Sequence, residues 1–320
     1  MSLFLRPGAP SSWLTGLVLI LLLCAMSDVR AQPSADAHRG PEGIELHGHR
    51  GARGLVPENT IPSFRRALDL GVTTLELDVV LAGDGTVVVS HEPWMMREKC
   101  RAPDGGWLPA DASRAHNLYE MAYDRIAAYD CGRTLGDFPE QEAVSAPKPR
   151  LRDVVAMAED YAAAHDRGPV FYNVEIKSRP EWEGTFQPEP APYVRRVLAV
   201  VTDEDVAPRT TIQSFDPRIL EATHRQNDVV RIAFLVGTGG DDGIEENLAP
   251  LSFVPDVYSP NAALVDEALV AAVHDRGLKL VPWTINEPDT MRRLLRLGVD
   301  GLITDYPDRA RSVIDAWGKE

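Results

Sequence analysis

Short apolar runs alternate with amphipathic stretches along most of this chain, and that alternation limits the folds it can adopt. The stretches TIPSFRRALDLG and DEALVAAVHDRG each begin with a capping Thr or Asp and end in Gly, as helices do. Alternating strands and helices predict a parallel sheet. Eight such units favour a closed (β/α)8 TIM-type barrel over an open doubly wound sheet. The strand candidates are 44–48, 73–80, 169–176, 210–214, 231–236, 257–260, 279–285 and 300–304.

The second strand candidate, TTLELDVV, supports the barrel through its side-chain alternation. One face is apolar and the other polar: Leu75, Leu77 and Val79 against Thr74, Glu76 and Asp78. A strand of an open α/β sheet is covered by helices on both sides and is apolar on both. Two carboxylates on one face fit the inside of a barrel mouth better.

The segment GDGTVVVSHEP interrupts the βα rhythm, because a GDG turn is too short for a parallel crossover. We predict a β-hairpin with Asp84 and Gly85 as its two turn residues. Paired residue numbers then sum to 169, which places His91 opposite Asp78. Residues 92–150 follow as an inserted segment without clear βα rhythm, and loops of that length are usually functional.

The first residues have the features of an export signal. Arg6 precedes an apolar run, and Val29-Arg30-Ala31 has the small-residue pattern of a cleavage site. The alternative, a membrane anchor, requires a longer apolar run. We therefore predict a signal peptide over 1–31, cleaved after Ala31, and a periplasmic or secreted protein. Residues 32–43 are predicted to be a flexible arm, and 44–317 the barrel.

Two cysteines remain after this cleavage, Cys100 and Cys131, because Cys24 lies within the signal segment. Both remaining cysteines lie in the insertion, and disulfides persist in oxidising compartments. We predict a disulfide between them; the alternative is two separate buried thiols.

Three acidic residues are predicted to meet at the mouth of the barrel. Glu76 and Asp78 share a strand face, and Glu175 ends the third βα strand. The C-terminal ends of barrel strands form one shared site. Converging carboxylates repel one another unless a cation joins them, and ligands that are all oxygen suit Mg²⁺ or Ca²⁺. In the alternative, some of them form ion pairs with Arg50, Arg53 or Lys177.

Basic residues and histidines surround the same mouth. Arg50 follows the first strand, and Lys177 shares a face with Glu175. Together with a divalent cation they would bind a phosphate oxyanion. His49 and His91 would then act as general base and general acid for phosphoester cleavage. Trp283 is a candidate apolar wall for substrate, with ordinary barrel packing as the equal alternative.

Seven motifs follow one another from about residue 44 to 308: GHRGARGLVPENT, LELDV, VVVSHEP, NVEIK, IQSFD, VPWTIN and DGLITDYP. In this order they resemble the glycerophosphodiester phosphodiesterase family, a group of phosphatidylinositol-phospholipase-C-like phosphodiesterase barrels. The resemblance implies a TIM-type barrel, one divalent cation (Ca²⁺ or Mg²⁺), and cleavage of glycerophosphodiesters to sn-glycerol 3-phosphate and an alcohol. It also implies roles for eight residues: catalytic His49 and His91, metal-binding Glu76, Asp78 and Glu175, phosphate-binding Arg50 and Lys177, and Trp283 as the aromatic wall.

The predicted ligand is therefore a small-molecule glycerophosphodiester. A net charge of −15 argues against nucleic acid as a partner, and the oligomeric state stays open. An enzymatic alternative is a phospholipase D-like or phosphoinositide-cleaving activity on lipid or lyso-lipid, with transient membrane contact. The insertion could supply its apolar rim through Trp94, Met95, Met96 and Trp107. A non-catalytic phosphodiester-binding protein is the alternative of another class.

Overall fold

The computed structural model describes residues 43–109, 113–239 and 243–319. Strands and helices alternate through these residues, as the apolar pattern predicts. The strands are β1 (Glu45–Gly48), β2 (Thr74–Leu81), β3 (Val87–Val89), β4 (Phe171–Ile176), β5 (Thr210–Ser214), β6 (Arg231–Val236), β7 (Val257–Pro260), β8 (Lys279–Leu280) and β9 (Gly301–Thr304). The helices are α1 (Ile61–Asp69), α2 (Tyr123–Ile126), α3 (Leu151–Ala164), α4 (Pro190–Asp203), α5 (Pro217–Gln226), α6 (Ile244–Leu248), α7 (Glu267–His274), α8 (Pro288–Leu297) and α9 (Pro307–Trp317).

The parallel strands form a nearly closed barrel. Their order is β8-β7-β6-β5-β4-β2-β1-β9, so consecutive parallel strands are neighbours and β8 and β9 stand at the two ends, while the hairpin strand β3 pairs with β2. Between the two ends, Asp300 N donates to Leu280 O (2.9 Å) and Ile303 N to Pro282 O (3.1 Å). The predicted (β/α)8 class is confirmed. The strand predicted over 279–285 is shorter, because Pro282 has no N–H for a ladder.

The polar face of β2 lies inside the barrel and its apolar face packs under the helices. Leu75, Leu77 and Val79 belong to the main apolar core, and none of them is exposed. Burying such side chains is the main driving force for covering the barrel with helices. The prediction from alternation in β2 is confirmed, and it leaves Glu76 and Asp78 pointing inward.

The β2–β3 hairpin forms, but the predicted register is wrong by one residue. Val79 pairs with Val89 and Leu81 with Val87, so paired residue numbers sum to 168 rather than 169. The loop has three residues, 83–85, because Ala82 N bonds to Thr86 O. Gly85 adopts φ +82°, the left-handed residue that closes three-residue hairpin loops. Asp78 O therefore accepts from Ser90 N, and His91 lies one residue beyond the pair.

The segment 92–150, called the insertion below, has an apolar core of its own. Leu118, Ile126 and Met95 are buried there together with Val80 and Val88 of the hairpin. The predicted disulfide is confirmed: Cys100 and Cys131 are joined at an S–S distance of 2.11 Å. The insertion is thus held to the barrel by hairpin packing and closed on itself by a covalent bond.

The predicted signal peptide and most of the flexible arm lie outside the described residues. Within the ranges that are described, no helix combines the length and the apolar character needed to cross a bilayer.

Candidate active site

Three carboxylates meet inside the mouth of the barrel. Glu76 and Asp78 come from β2 and Glu175 from β4, and Asp78 and Glu175 are paired in register. One oxygen from each lies within 4.8 Å of the others, and all three side chains are buried. The predicted convergence of the acidic residues is therefore present.

Burial and mutual repulsion disturb the protonation of this triad. Burial raises the pKa of Glu76 well above its usual range, and the neighbouring charges of Asp78 and Glu175 raise it further. Burial also raises the pKa of Glu175, although Lys177 opposes the rise. At Asp78, burial is the largest effect, but the nearby positive charges, of which Arg50 is the strongest, together outweigh it and lower the pKa. The protein's own cations thus neutralise one carboxylate better than the other two.

The donor set fits a hard divalent cation. Within the described residues, the buried Oδ1 of Asp78 has no hydrogen-bond partner, a costly state for a carboxylate oxygen. Lys177 Nζ lies 3.7 Å from it and is bonded instead to Glu175 Oε1 at 2.6 Å. Ca²⁺ and Mg²⁺ both prefer carboxylate oxygens. Glu76 is fixed by Gln213 Nε2, which donates to its Oε1 (2.7 Å), so the oxygens are preorganised.

Arg50 lies against the triad, directly after β1. It adopts a positive φ of 51°, and its backbone N–H donates to Glu76 Oε2 at 2.8 Å. Its guanidinium reaches Asp78 Oδ2 (3.1 Å) and Glu58 Oε1 (3.0 Å). The ion pairs that we considered as an alternative to a metal site are thus present at Arg50 and Lys177. They coexist with the triad, because these two cations pair with Asp78 and Glu175 but not with Glu76.

His49 is held in place by an aspartate from the far end of the chain. Its Nδ1 lies 2.6 Å from Asp305 Oδ1, and Asn286 Nδ2 donates to the other oxygen of Asp305 at 2.8 Å. This leaves Nε2 facing the triad, 4.0 Å from Glu76 Oε2. Burial lowers the pKa of His49, and Asp305 opposes that effect. The ring is therefore oriented, with one nitrogen available for proton transfer.

His91 has the same kind of support from a different residue. Its Nδ1 lies 2.8 Å from Glu92 Oε1. Burial lowers the pKa of His91, while the charge of Asp78 and the hydrogen bond with Glu92 oppose the decrease. His91 and His49 thus line the same cavity, each with Nδ1 on a carboxylate.

Lys99 of the insertion connects Glu58 and Glu92, the carboxylates that hold Arg50 and His91. Its Nζ donates to Glu58 Oε1 at 2.8 Å and to both oxygens of Glu92 at 2.8 and 3.0 Å. Glu58 in turn bonds Arg50, and Glu92 bonds His91. Lys99 is the residue before Cys100, so the disulfide lies directly beside this network.

A cavity of about 1060 Å³ opens above these groups. Its barrel wall contains Trp283, which lies edge-on to Phe215 at 5.4 Å and donates from Nε1 to Ser259 O. Trp283 therefore lies beside the site, at the predicted position. A second cluster of aromatic rings lines the same cavity and is called the outer wall below; it consists of Trp94, Trp182 and Phe186.

The lipid rim considered from the sequence is mostly absent from this cavity. Met95 is fully buried, and Trp107, 44% exposed, lies outside the cavity between Arg101 and Arg133. Met96 packs its sulfur on Trp94 Nε1 at 3.3 Å. Among the candidate rim residues, Trp94 alone lines the cavity.

Sequence reasoning missed the residues that support the histidines. Asp305 lies within the motif DGLITDYP but was given no role, and Glu92 directly follows His91 in SHEP. A carboxylate next to a candidate catalytic histidine was a usable signal for Glu92. Lys99 carries no such signal, because it lies in an irregular segment without periodicity.

Comparison with known proteins supports the resemblance found in the motifs. The model of the Glycerophosphoryl diester phosphodiesterase family matches residues 49–309. A Glycerophosphodiester phosphodiesterase of Bacillus subtilis is 27% identical over 303 residues, covering 91% of this chain and 95% of the relative.

Solved structures agree with this result. The structure of a protein from Silicibacter pomeroyi superposes with a TM-score of 0.77 at 33% identity, covering 88% of this chain and 97% of that one. An Oleispira antarctica phosphodiesterase, solved in complex with the product sn-glycerol-3-phosphate, shares the fold with a TM-score of 0.66 at 21% identity, over 85% of this chain and 96% of its own. The family model spans most of this chain, which therefore belongs to the glycerophosphoryl diester phosphodiesterase family.

Proposed function

We propose that this protein hydrolyses glycerophosphodiesters to sn-glycerol 3-phosphate and an alcohol, with a divalent cation and two histidines. One observation carries the proposal: a buried carboxylate triad faces a cavity in which two histidines are each fixed at Nδ1 by a carboxylate. The sn-glycerol-3-phosphate bound to the Oleispira protein supports the same reaction product. A protein that only binds diesters has no need of two oriented proton carriers.

Glu76, Asp78 and Glu175 would hold the cation. A bound Ca²⁺ or Mg²⁺ would supply positive charge that neutralises the phosphate and favours loss of a proton from the attacking hydroxyl. Arg50 and Lys177 add charge from the protein itself, and both line the same cavity. The arginine is restrained by Glu58 and Asp78, so its guanidinium is positioned before substrate arrives.

The histidines move the protons. His49 Nε2 accepts the proton of the attacking glycerol hydroxyl, whose oxygen forms a bond to phosphorus. The bond from phosphorus to the leaving oxygen breaks, and His91 donates a proton to that oxygen as the alcohol departs. Water then opens the cyclic phosphate, and the two histidines exchange roles. Asp305 and Glu92 each stabilise the imidazolium form of their histidine while it carries the proton.

We also propose export, with residues 1–31 as a cleaved signal peptide, 32–43 as a flexible arm and 44–317 as the catalytic domain. The Cys100–Cys131 disulfide supports this location, because such bonds persist in oxidising compartments.

The test is release of sn-glycerol 3-phosphate from a panel of glycerophosphodiesters by the mature protein, before and after exhaustive chelation. Activity should vanish on chelation and return with Ca²⁺ or Mg²⁺. Glu175→Gln and Asp78→Asn should need more metal for half-maximal activity, because each removes a charged oxygen ligand. Full activity in chelated protein would rule out the metal role.

A further inference from the structure

The cavity is larger than the glycerol phosphate half of a substrate requires. Its volume is about 1060 Å³, whereas whole drug-sized ligands occupy pockets of about 300–1,000 Å³. The alcohol half of the diester therefore has room to bind inside the same cavity.

The position of His91 indicates on which side the alcohol lies. This step rests on the proposed function, in which His91 protonates the leaving oxygen and must be within hydrogen-bond reach of it. His91 begins the segment that also carries Trp94, and both residues line the cavity. The outer wall, which contains Trp94, therefore begins three residues after the proposed proton donor and lines the same cavity.

The outer wall is preformed by contacts among its own rings. Trp94 is 9% exposed and lies edge-on to Trp182 at 5.6 Å and to Phe186 at 5.2 Å. Two arginines cover its indole faces. The guanidinium of Arg114 lies 4.9 Å from the ring centre of Trp94, and that of Arg179 lies 5.0 Å from the ring centre of Trp182.

These arginines decide which head groups the wall accepts. A quaternary ammonium group would bind over an open aromatic face within about 6 Å. On Trp94 and Trp182 the guanidinium groups already take such positions, and they repel a further cation. Arg179 has a carboxylate neighbour, Glu181, at 3.7 Å. Arg114 is exposed and forms no ion pair with any carboxylate in the described ranges, so it is available to an anionic ligand group.

We infer that the outer wall is the subsite for the leaving alcohol, and that Arg114 makes it select alcohols bearing a carboxylate or phosphate over those bearing a quaternary ammonium. The aromatic rings contact the carbon part of the alcohol, and the guanidinium binds its anionic group. Arg114 is thus a specificity-determining residue and takes no part in the proton transfers.

The test compares two substrates that differ by a single carboxylate, glycerophosphoserine and glycerophosphoethanolamine, with glycerophosphocholine as a third. The readout is the ratio of kcat/KM values with saturating metal. In the unaltered protein we expect glycerophosphoserine to be favoured about 3- to 10-fold over glycerophosphoethanolamine, the range for a charge-assisted contact that is partly exposed. Arg114→Gln should bring the ratio close to one, because it removes both the attraction for the serine carboxylate and the repulsion of the ethanolamine ammonium.

Arg101→Gln is the matched control, since Arg101 also stacks on a tryptophan of the insertion but lies outside the cavity. It removes the same charge and should keep the preference. An equal loss on both substrates in Arg114→Gln, or a preference of the unaltered protein for glycerophosphocholine, would overturn the subsite assignment while the proposed function stands. Failure to turn over any diester with metal present would overturn the proposed function, and the subsite with it.

Discussion

Replacing Lys99 by Met should lower both stability and activity, although Lys99 is not among the residues proposed to contact substrate. The Lys99 side chain is 11% exposed, and its ammonium forms contacts of 2.8 Å with both Glu58 and Glu92. Removing it leaves two carboxylates in a largely buried site with one cation fewer. Removing one partner of a buried ion pair typically costs about 3–5 kcal/mol of unfolding free energy. We expect the variant to lose stability within that range.

Part of that cost should appear in catalysis. Glu92 holds Nδ1 of His91, and Glu58 holds the Arg50 guanidinium, so both supports lose their shared counter-ion together. Each 1.4 kcal/mol that is lost only in the transition state lowers kcat tenfold. We expect a decrease of about 10- to 100-fold in kcat with little change in metal affinity.

Urea denaturation and steady-state kinetics at saturating metal would measure both effects. Lys99→Arg keeps the charge and should recover part of the activity, whereas a purely structural defect would not discriminate between the two variants in kcat. Glu98→Gln is the control, because Glu98 is exposed and adjacent in sequence. The reasoning is refuted if Lys99→Met keeps normal kcat and stability, or if Glu98→Gln has the same effect.

Three further predictions follow from the site and its support. His49→Ala and His91→Ala should each lower kcat by about 10²- to 10⁴-fold with nearly intact metal affinity and fold; near-normal turnover in either would remove it from the mechanism. Burial lowers the pKa of Lys148 to about 8, whereas an unfolded lysine keeps its proton to about pH 10.4. The free energy of unfolding should therefore rise between pH 8 and 10 by about 1–3 kcal/mol, and urea titrations of Lys148→Met should lack this rise. The Cys100–Cys131 disulfide spans 31 residues, so closing it stabilises by at most about 3–4 kcal/mol; reduction should make the insertion susceptible to limited proteolysis before the barrel unfolds, and simultaneous unfolding of both would contradict this.

The barrel was predictable because its signal is periodic and local. In β2, apolar Leu77 and polar Asp78 point to opposite faces, so their polarity already shows which face is covered by helices and which lines the barrel. The same alternation explains why Glu76 points into the mouth of the barrel. The hairpin register was not predictable from the GDG turn alone. Two-residue and three-residue loops both suit Gly and Asp, and they differ by one in register. The strand pairing and the hydrogen bond from Ala82 N to Thr86 O distinguish them.

The site was predictable where strand ends carry the chemistry, and less so where it depends on long-range ion pairs. The acidic triad follows from strand positions, since parallel strands bring their ends together. Asp305 and His49 are 256 residues apart, and Lys99 and Glu58 are 41 apart. No periodicity connects such pairs, so their contact depends on how the whole chain closes.

The insertion contributes both to proton donation and to the selection of the leaving alcohol. Through Lys99 it supports Glu92 and thereby the proposed acid His91. Through Trp94 and Arg114 it forms the surface that we propose as the subsite for the leaving alcohol. Because the disulfide closes this one segment, a change that shifts it should alter proton donation and alcohol selection together. Trp283 belongs to the barrel, where it packs on Phe215, and not to the insertion. Double variants of Trp283 and Arg114 should therefore have additive effects, whereas those of Lys99 and Arg114 should not.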